Sequence, residues 1–306
     1  MSLGFISHPD CLLHNMGMFH PEQPARLQAI ENAVTHSNLE SHLKYYQAPL
    51  ATRQQLLRVH DSDYVDFIFN SSPAEGLIPL DPDVSMNPDS LTASLRAAGA
   101  VVYGVELILN KEVTAAFCNV RPPGHHAERD KAMGFCIFNN VAVGVSHALE
   151  QFQLKRIAIV DFDVHHGNGT ENIFCKNQRV LYCSTFQHPF YPFSGANTKS
   201  EHIINIPLPA GTTGDVFRKQ VEDRWFEQIK QFAPEMIFFS AGFDAYYQDE
   251  LANLELTADD YLWITQCIKK IADDQCHGRM LSVLEGGYHL KGLGDCVVAH
   301  LHGLLD

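Results

Sequence analysis

Apolar positions follow two rhythms along the chain. Short runs rich in β-branched and aromatic residues recur at 114–120, 156–160, 179–184, 202–206, 236–240 and 280–284. Most are apolar throughout rather than alternating, the pattern of strands covered on both faces. Between them the spacing turns helical. Residues 89–109 carry apolar positions three and four apart, and Asn87-Pro88 supplies an N-cap and a first-turn proline. Val216, Phe217, Val221, Trp225, Phe226, Ile229 and Phe232 make one stripe over 215–232. Thr257 and Asp260 resemble a capping box ahead of Tyr261, Ile264, Cys267, Ile268 and Ile271. Strands alternating with helices predict an α/β protein, a parallel sheet sandwiched by helices. The proline-rich first 85 residues are expected to wrap onto that sheet as loops, with 1–306 forming a single domain.

Composition narrows the function classes. Of 306 residues, 45% are hydrophobic and 19% charged, which excludes disorder, collagen and coiled coil. Lys and Arg total 22 against 36 Asp and Glu, a formal charge of −14. That surplus argues against nucleic-acid or anionic-membrane partners, which need clustered Lys and Arg. The eight cysteines form neither a CxxC pair nor a compact framework, so reduced thiols and a cytoplasmic location are expected. No secretory leader pattern opens the chain. The longest apolar run, 97–105, stops at Glu106, short of the ~20 residues of a membrane span.

In α/β sheets, ligands bind beyond the carboxyl ends of the strands. Four of the expected strands end there in ionisable residues beside glycine: His125 and His126 after Gly124, Asp161 to His166 before Gly167, Asp244 after Gly242, and Glu285 to Tyr288 around Gly286 and Gly287. Residues two apart in an extended segment point the same way, so Asp163 and His165 can share an ion, and Asp244 can complete a three-ligand set. Singly, such an Asp caps a helix as readily as it binds metal. Together the three favour a metal, without deciding zinc against iron, manganese or cobalt. Adjacent His125 and His126 can reach one site, with Asp161 accepting from one imidazole, and the Tyr288 phenol is a neutral donor suited to an oxyanion. His166, on the opposite side of an extended segment, reads as structural.

Five motifs carry a resemblance: Arg121-Pro122-Pro123-Gly124-His125-His126-Ala127; Gly134-Phe135-Cys136 with Asn139-Asn140; Asp161-Phe162-Asp163-Val164-His165-His166-Gly167-Asn168-Gly169-Thr170; Ser240-Ala241-Gly242-Phe243-Asp244; and Leu284-Glu285-Gly286-Gly287-Tyr288. In this order the chain resembles the zinc-dependent histone deacetylase superfamily, which also holds acetylpolyamine amidohydrolases and acetoin-utilisation proteins. The resemblance runs from His20-Pro21-Glu22 to Tyr288. It implies the arginase-deacetylase fold and one zinc ion on Asp163, His165 and Asp244. It implies His126 as general base and acid, His125 as electrostatic partner held by Asp161, and Tyr288 as oxyanion donor. Asn168, where others have aspartate, would support His126, as in the class II branch. Gly134, Phe135, Tyr191 and Leu251 would line a tunnel for a lysine stem. Structural potassium is implied at Asp161, Asp163, His165, Ser184 and Thr185, and more loosely at Phe174, Asn177, Val180 and His202.

The expected activity is hydrolysis of an N-acetyl amide, most simply on acetyl-lysine of a peptide or protein. The nearest rival is an acetylpolyamine amidohydrolase, which can place a glutamate at the rim. Leu251 matches that position here and Glu250 is its neighbour. An arginase-like two-metal hydrolase needs extra aspartates that the strand exits lack. A non-catalytic acyl-lysine-binding module predicts loss of a ligand or of the tyrosine, and neither is lost.

Overall fold

The computed structural model describes residues 2–305. Ten strands form: β1 (Leu3–Ser7), β2 (Leu43–Gln47), β3 (Ile78–Asp81), β4 (Val84–Met86), β5 (Ala115–Cys118), β6 (Ile157–Asp161), β7 (Val180–Gln187), β8 (Ile203–Leu208), β9 (Met236–Ala241) and β10 (Met280–Leu284). Eight of them make one sheet in the order β2-β1-β5-β10-β9-β6-β7-β8, every pairing parallel. β3 and β4 pair separately as an antiparallel hairpin. The helices are α1 (Ala25–His36), α2 (Arg53–Leu56), α3 (Ser62–Asn70), α4 (Ser90–Leu109), α5 (Asn140–Gln151), α6 (Asn168–Phe174), α7 (Gly214–Val221), α8 (Glu227–Phe232), α9 (Ala258–Cys276) and α10 (Leu290–Leu305).

All six expected strands are present. β5, β6, β9 and β10 are buried at every residue, as continuous apolar runs covered on both faces should be. The N-terminal expectation is corrected. Residues 2–85 do not only wrap the sheet, because β1 is inserted between β2 and β5. The buried run Leu3 to Ile6 is too short to show a period of its own, and β2 at the sheet edge keeps Lys44 and Tyr45 exposed. The helix expected from residue 89 starts at Ser90, and Asn87 is not its cap. The Asn87 side chain accepts from Ser90 Oγ at 2.6 Å and donates to the Leu13 carbonyl at 2.9 Å, tying down an N-terminal loop instead. The stripe over 215–232 is two helices joined by a π turn at Glu222–Phe226, with Trp225 buried in it. At Thr257 the box forms as read, Asp260 accepting from the Thr257 amide at 2.8 Å.

Strand order positions the chemistry. β5, β10, β9 and β6 are consecutive neighbours at the sheet centre. Their registers put Cys118, Val283, Ser240 and Asp161 on one level. The four ionisable exits therefore leave the sheet side by side, about 5 Å apart per strand.

Candidate active site

Asp163 and His165 follow β6, and Asp244 follows β9. One ligand atom from each lies within 4.8 Å of the others. His165 Nδ1 is 3.0 Å from Asp163 Oδ1 and 3.2 Å from Asp244 Oδ2. Backbone amides fix the carboxylates: Gly286 N donates to Asp163 Oδ2 at 2.8 Å and Val164 N to Asp244 Oδ1 at 2.9 Å. Asp244 Oδ2 is buried and makes no hydrogen bond among the described residues, its near neighbour being the His165 ring nitrogen that would share the cation. A buried carboxylate oxygen left open beside a second carboxylate and an imidazole is a donor set suited to a divalent cation. The glycines leave room for it, since a Cβ on Gly286 would lie 2.0 Å from Asp244 Oδ2. Burial and the Asp163 charge push the Asp244 carboxyl up to about 6. Burial opposes charge on His165, but the Asp163 and Asp244 carboxylates outweigh it and raise the imidazole to about 10. A bound cation takes the place of that proton.

The paired histidines sit beside this cluster, their ring centroids 4.1 Å apart. His125 Nδ1 lies 3.1 Å from Asp161 Oδ2, which also accepts from the Tyr182 hydroxyl at 2.8 Å. Burial disfavours charge on His125, yet Asp163 and Asp161 raise it to about 10. His126 goes the other way: burial, then the charges of His125 and His165, hold it well below its usual value. His126 Nδ1 is 2.8 Å from Asn168 Oδ1, and Asn168 Nδ2 donates to Glu128 Oε1 at 2.7 Å. Because a carboxylate only accepts, that second bond fixes the amide orientation, so His126 donates through Nδ1 and keeps its Nε2 lone pair free.

A cavity of about 270 Å³ opens above the cluster, lined by Asp83, His126, Gly134, Phe135, His165, Phe190, Tyr191, Leu251 and Tyr288. All four residues expected in the tunnel wall are there. The Phe135 ring meets Tyr288 edge-on at 5.9 Å, and Phe190 stacks on His165 at 5.6 Å. His166 stays outside this cavity as read, held between Ser194 Oγ and Glu171 Oε2, each at 2.8 Å.

The histone deacetylase domain family matches residues 20–304. The chain belongs to the histone deacetylase family. A probable deacetylase of Archaeoglobus fulgidus is 36% identical over 95% of this chain and 83% of its own length. A histone deacetylase-like amidohydrolase of Pseudomonas aeruginosa is 32% identical, covering 93% of this chain and 77% of its own. The crystal structure of the HDA15 HD domain superposes with a TM-score of 0.92 at 33% identity, over 99% of this chain and 88% of that one. The sheet is thus that of the arginase-deacetylase fold, and the chain is a hydrolase acting on amides.

Three further residues of this deacetylase family member shape the site and went unassigned in the sequence. Glu285, quoted only as part of a motif, accepts from Gly124 N at 2.6 Å, His125 N at 3.1 Å and Ser240 Oγ at 2.9 Å, so one buried carboxylate holds the histidine loop. Burial lifts that carboxyl to about 7. Asp83, in the β3–β4 turn, accepts from Gly134 N at 3.0 Å and from the Tyr191 hydroxyl. Phe190 precedes the expected Tyr191. No local pattern marks Asp83 or Phe190, and the His-Pro-Phe-Tyr-Pro run at 188–192 was the one available signal.

Proposed function

We propose that this protein is a zinc-dependent deacetylase that hydrolyses the N-acetyl amide of acetyl-lysine in peptides or proteins. The observation that carries it is the cavity lined by His126, His165 and Tyr288 beside a wall of Phe135, Phe190, Tyr191 and Leu251, with His165 belonging also to the donor set it makes with Asp163 and Asp244. An aromatic wall suits the methylene stem of lysine. Bound by the three donors, zinc supplies Lewis acidity toward the acetyl carbonyl. His126 takes a proton from the attacking water at Nε2 and returns it to the leaving amine, a role worth about 10²–10⁴-fold. Asn168 holds the ring, while His125 and Asp161 keep positive charge beside it. Tyr288 donates to the oxyanion. Leu251 faces the cavity and Glu250 is not among its lining residues, which supports acetyl-lysine over an acetylpolyamine. Structural potassium at Asp161, Asp163, His165, Ser184 and Thr185 is part of the proposal, supported by the register that sets Asp161 against Ser184.

Turnover of an acetyl-lysine peptide against acetylputrescine, with elemental analysis of the purified protein, tests the reading. Peptide preference with one zinc per chain, reduced to a small fraction by Asp244→Asn, is expected. Faster turnover of acetylputrescine moves the substrate to polyamines. Zinc content unchanged by Asp244→Asn removes the proposed metal centre.

A further inference from the structure

Tyr288 stands on an unusually free piece of backbone. It follows Gly286 and Gly287, the latter at φ +120°, in the five-residue connection between β10 and α10. Gly286 has a reason of its own to be glycine, because the metal-site carboxylates press on it. Two glycines in succession leave the direction of the next side chain weakly determined. Something outside the segment has to determine it.

Two ties do so. Arg26 Nε donates to the Gly287 carbonyl at 2.7 Å, from one side. From the other, a single carboxylate oxygen, Asp249 Oδ2, accepts from the Tyr288 amide at 2.6 Å and from the His289 amide at 3.1 Å. The other oxygen of Asp249 accepts from Leu251 N at 3.0 Å, and Leu251 lines the cavity. Asp249 is itself 5% exposed and fastened by its own amide to the Tyr246 carbonyl at 2.8 Å. It lies five residues beyond Asp244 on the same β9 exit. One buried carboxylate therefore joins the segment carrying the third metal ligand, the cavity wall at Leu251 and the backbone of the phenol.

We propose that Asp249 is the positioning residue for Tyr288, setting the phenol over the reacting carbonyl without touching substrate. This rests on the deacetylase reading above. An Asp accepting from amides just ahead of α10 could equally be a helix cap that adds stability alone, so the test has to separate position from stability. Asp249→Asn keeps size and replaces one acceptor oxygen by a donor. A misplacement of about 1 Å in an active site can cost about 10²-fold. D249N should therefore lower kcat by about ten- to a hundredfold, with KM within about twofold and zinc content unchanged. In a Y288F background the same substitution should change kcat by less than about twofold, because the group it places is gone. An equal loss in both backgrounds, or an undiminished kcat in D249N, overturns the proposal. Should D249N fail to accumulate, Asp249→Glu, which keeps the acceptor but moves it by one methylene, carries the same comparison. 3-Fluorotyrosine placed at position 288 gives a readout that needs no turnover. One fluorine resonance in the otherwise native protein, shifted or split in D249N, is expected; an unchanged resonance overturns the proposal. If the native enzyme hydrolyses no acetyl amide, the functional reading fails by itself and the fluorine spectrum still decides the role of Asp249.

Discussion

At the scale of residues, Tyr288 is the cleanest point of attack. Burial drives its phenol well above the ordinary value, so it stays a neutral donor throughout any working pH range. In the role proposed for it Tyr288 is an oxyanion donor, and removing one such donor costs about 10²–10³-fold in kcat. Tyr288→Phe should therefore lose two to three orders of magnitude in turnover while metal content, read by elemental analysis, stays as in the native enzyme. Metal lost together with activity would show that the ring supports the cluster rather than the reaction. The residues proposed to do the chemistry were legible in the sequence as candidates because they stand at strand exits beside glycines. Those that hold them were not. Glu285 acts on Gly124 across 161 positions of chain, and its partner is a backbone amide, which every residue type possesses. Sequence names the side chains that react, and it is silent on carboxylates whose work is to receive amides.

At the scale of elements, the same divide separates β5 to β10 from β1 and β2. A strand buried on both faces writes itself as an unbroken apolar run, as β5, β6, β7, β9 and β10 do; β8, partly exposed, was found as well, whereas β1, buried from Leu3 to Ile6, was not. β2 has one buried residue in five, so nothing but its partner β1 defines it. α4 is long and apolar enough to cross a bilayer by composition, yet it is a core helix, with Ala97, Ala98, Ala100, Val101 and Val105 buried. Its apolarity is used against the sheet and the N-terminal segment. Gly99 marks how closely that segment packs: a Cβ there would lie 2.0 Å from the Pro49 carbonyl and 2.8 Å from Ala51 N. In an exposed helix Gly→Ala gains roughly 1 kcal/mol. Here backbone would have to move, at an overpacking cost of typically 1–3 kcal/mol or more. Gly99→Ala should lower the Tm by several degrees, measured by calorimetry, whereas Gly76→Ala, with nothing within 4 Å of its Cβ, meets only the cost of its positive φ.

At the scale of the whole molecule, acid should find the fold before it finds the charges on its surface. Three histidines are buried, each with its own hydrogen-bond partners, and burial favours the neutral ring in each. His14 bonds Ser90 Oγ at 2.7 Å; His60 takes the Asn139 amide on Nε2 at 3.0 Å; His300 joins Thr265 Oγ1 at 2.6 Å to Ser282 Oγ at 2.8 Å within an aromatic cage. Burial lowers them to about 4, 4 and 3. Their folded values lie below the unfolded 6.5, so the unfolded chain binds protons first as pH falls. The contribution of these three rings is then constant above about pH 7 and is lost from 6.5 downward, each ring accounting for up to roughly 3 kcal/mol by pH 4. The Glu285 carboxyl, raised to about 7, works the other way, since the folded chain takes up its proton before the unfolded chain does between about pH 7 and 4.5. Glu22 follows in a lower window. Burial opposes its charge, but Arg121 and Arg26 outweigh this and hold it at about 2, so its contribution disappears only as pH falls from about 4.5 toward 2. The three rings together outweigh Glu285, so the Tm should decline between pH 6.5 and 4. His300→Gln should start from a lower Tm at pH 7 and show a shallower decline, since one titrating ring has been removed. A Tm flat to pH 4.5 would mean that these rings accept protons in place, and that the packing around them yields more readily than their burial implies.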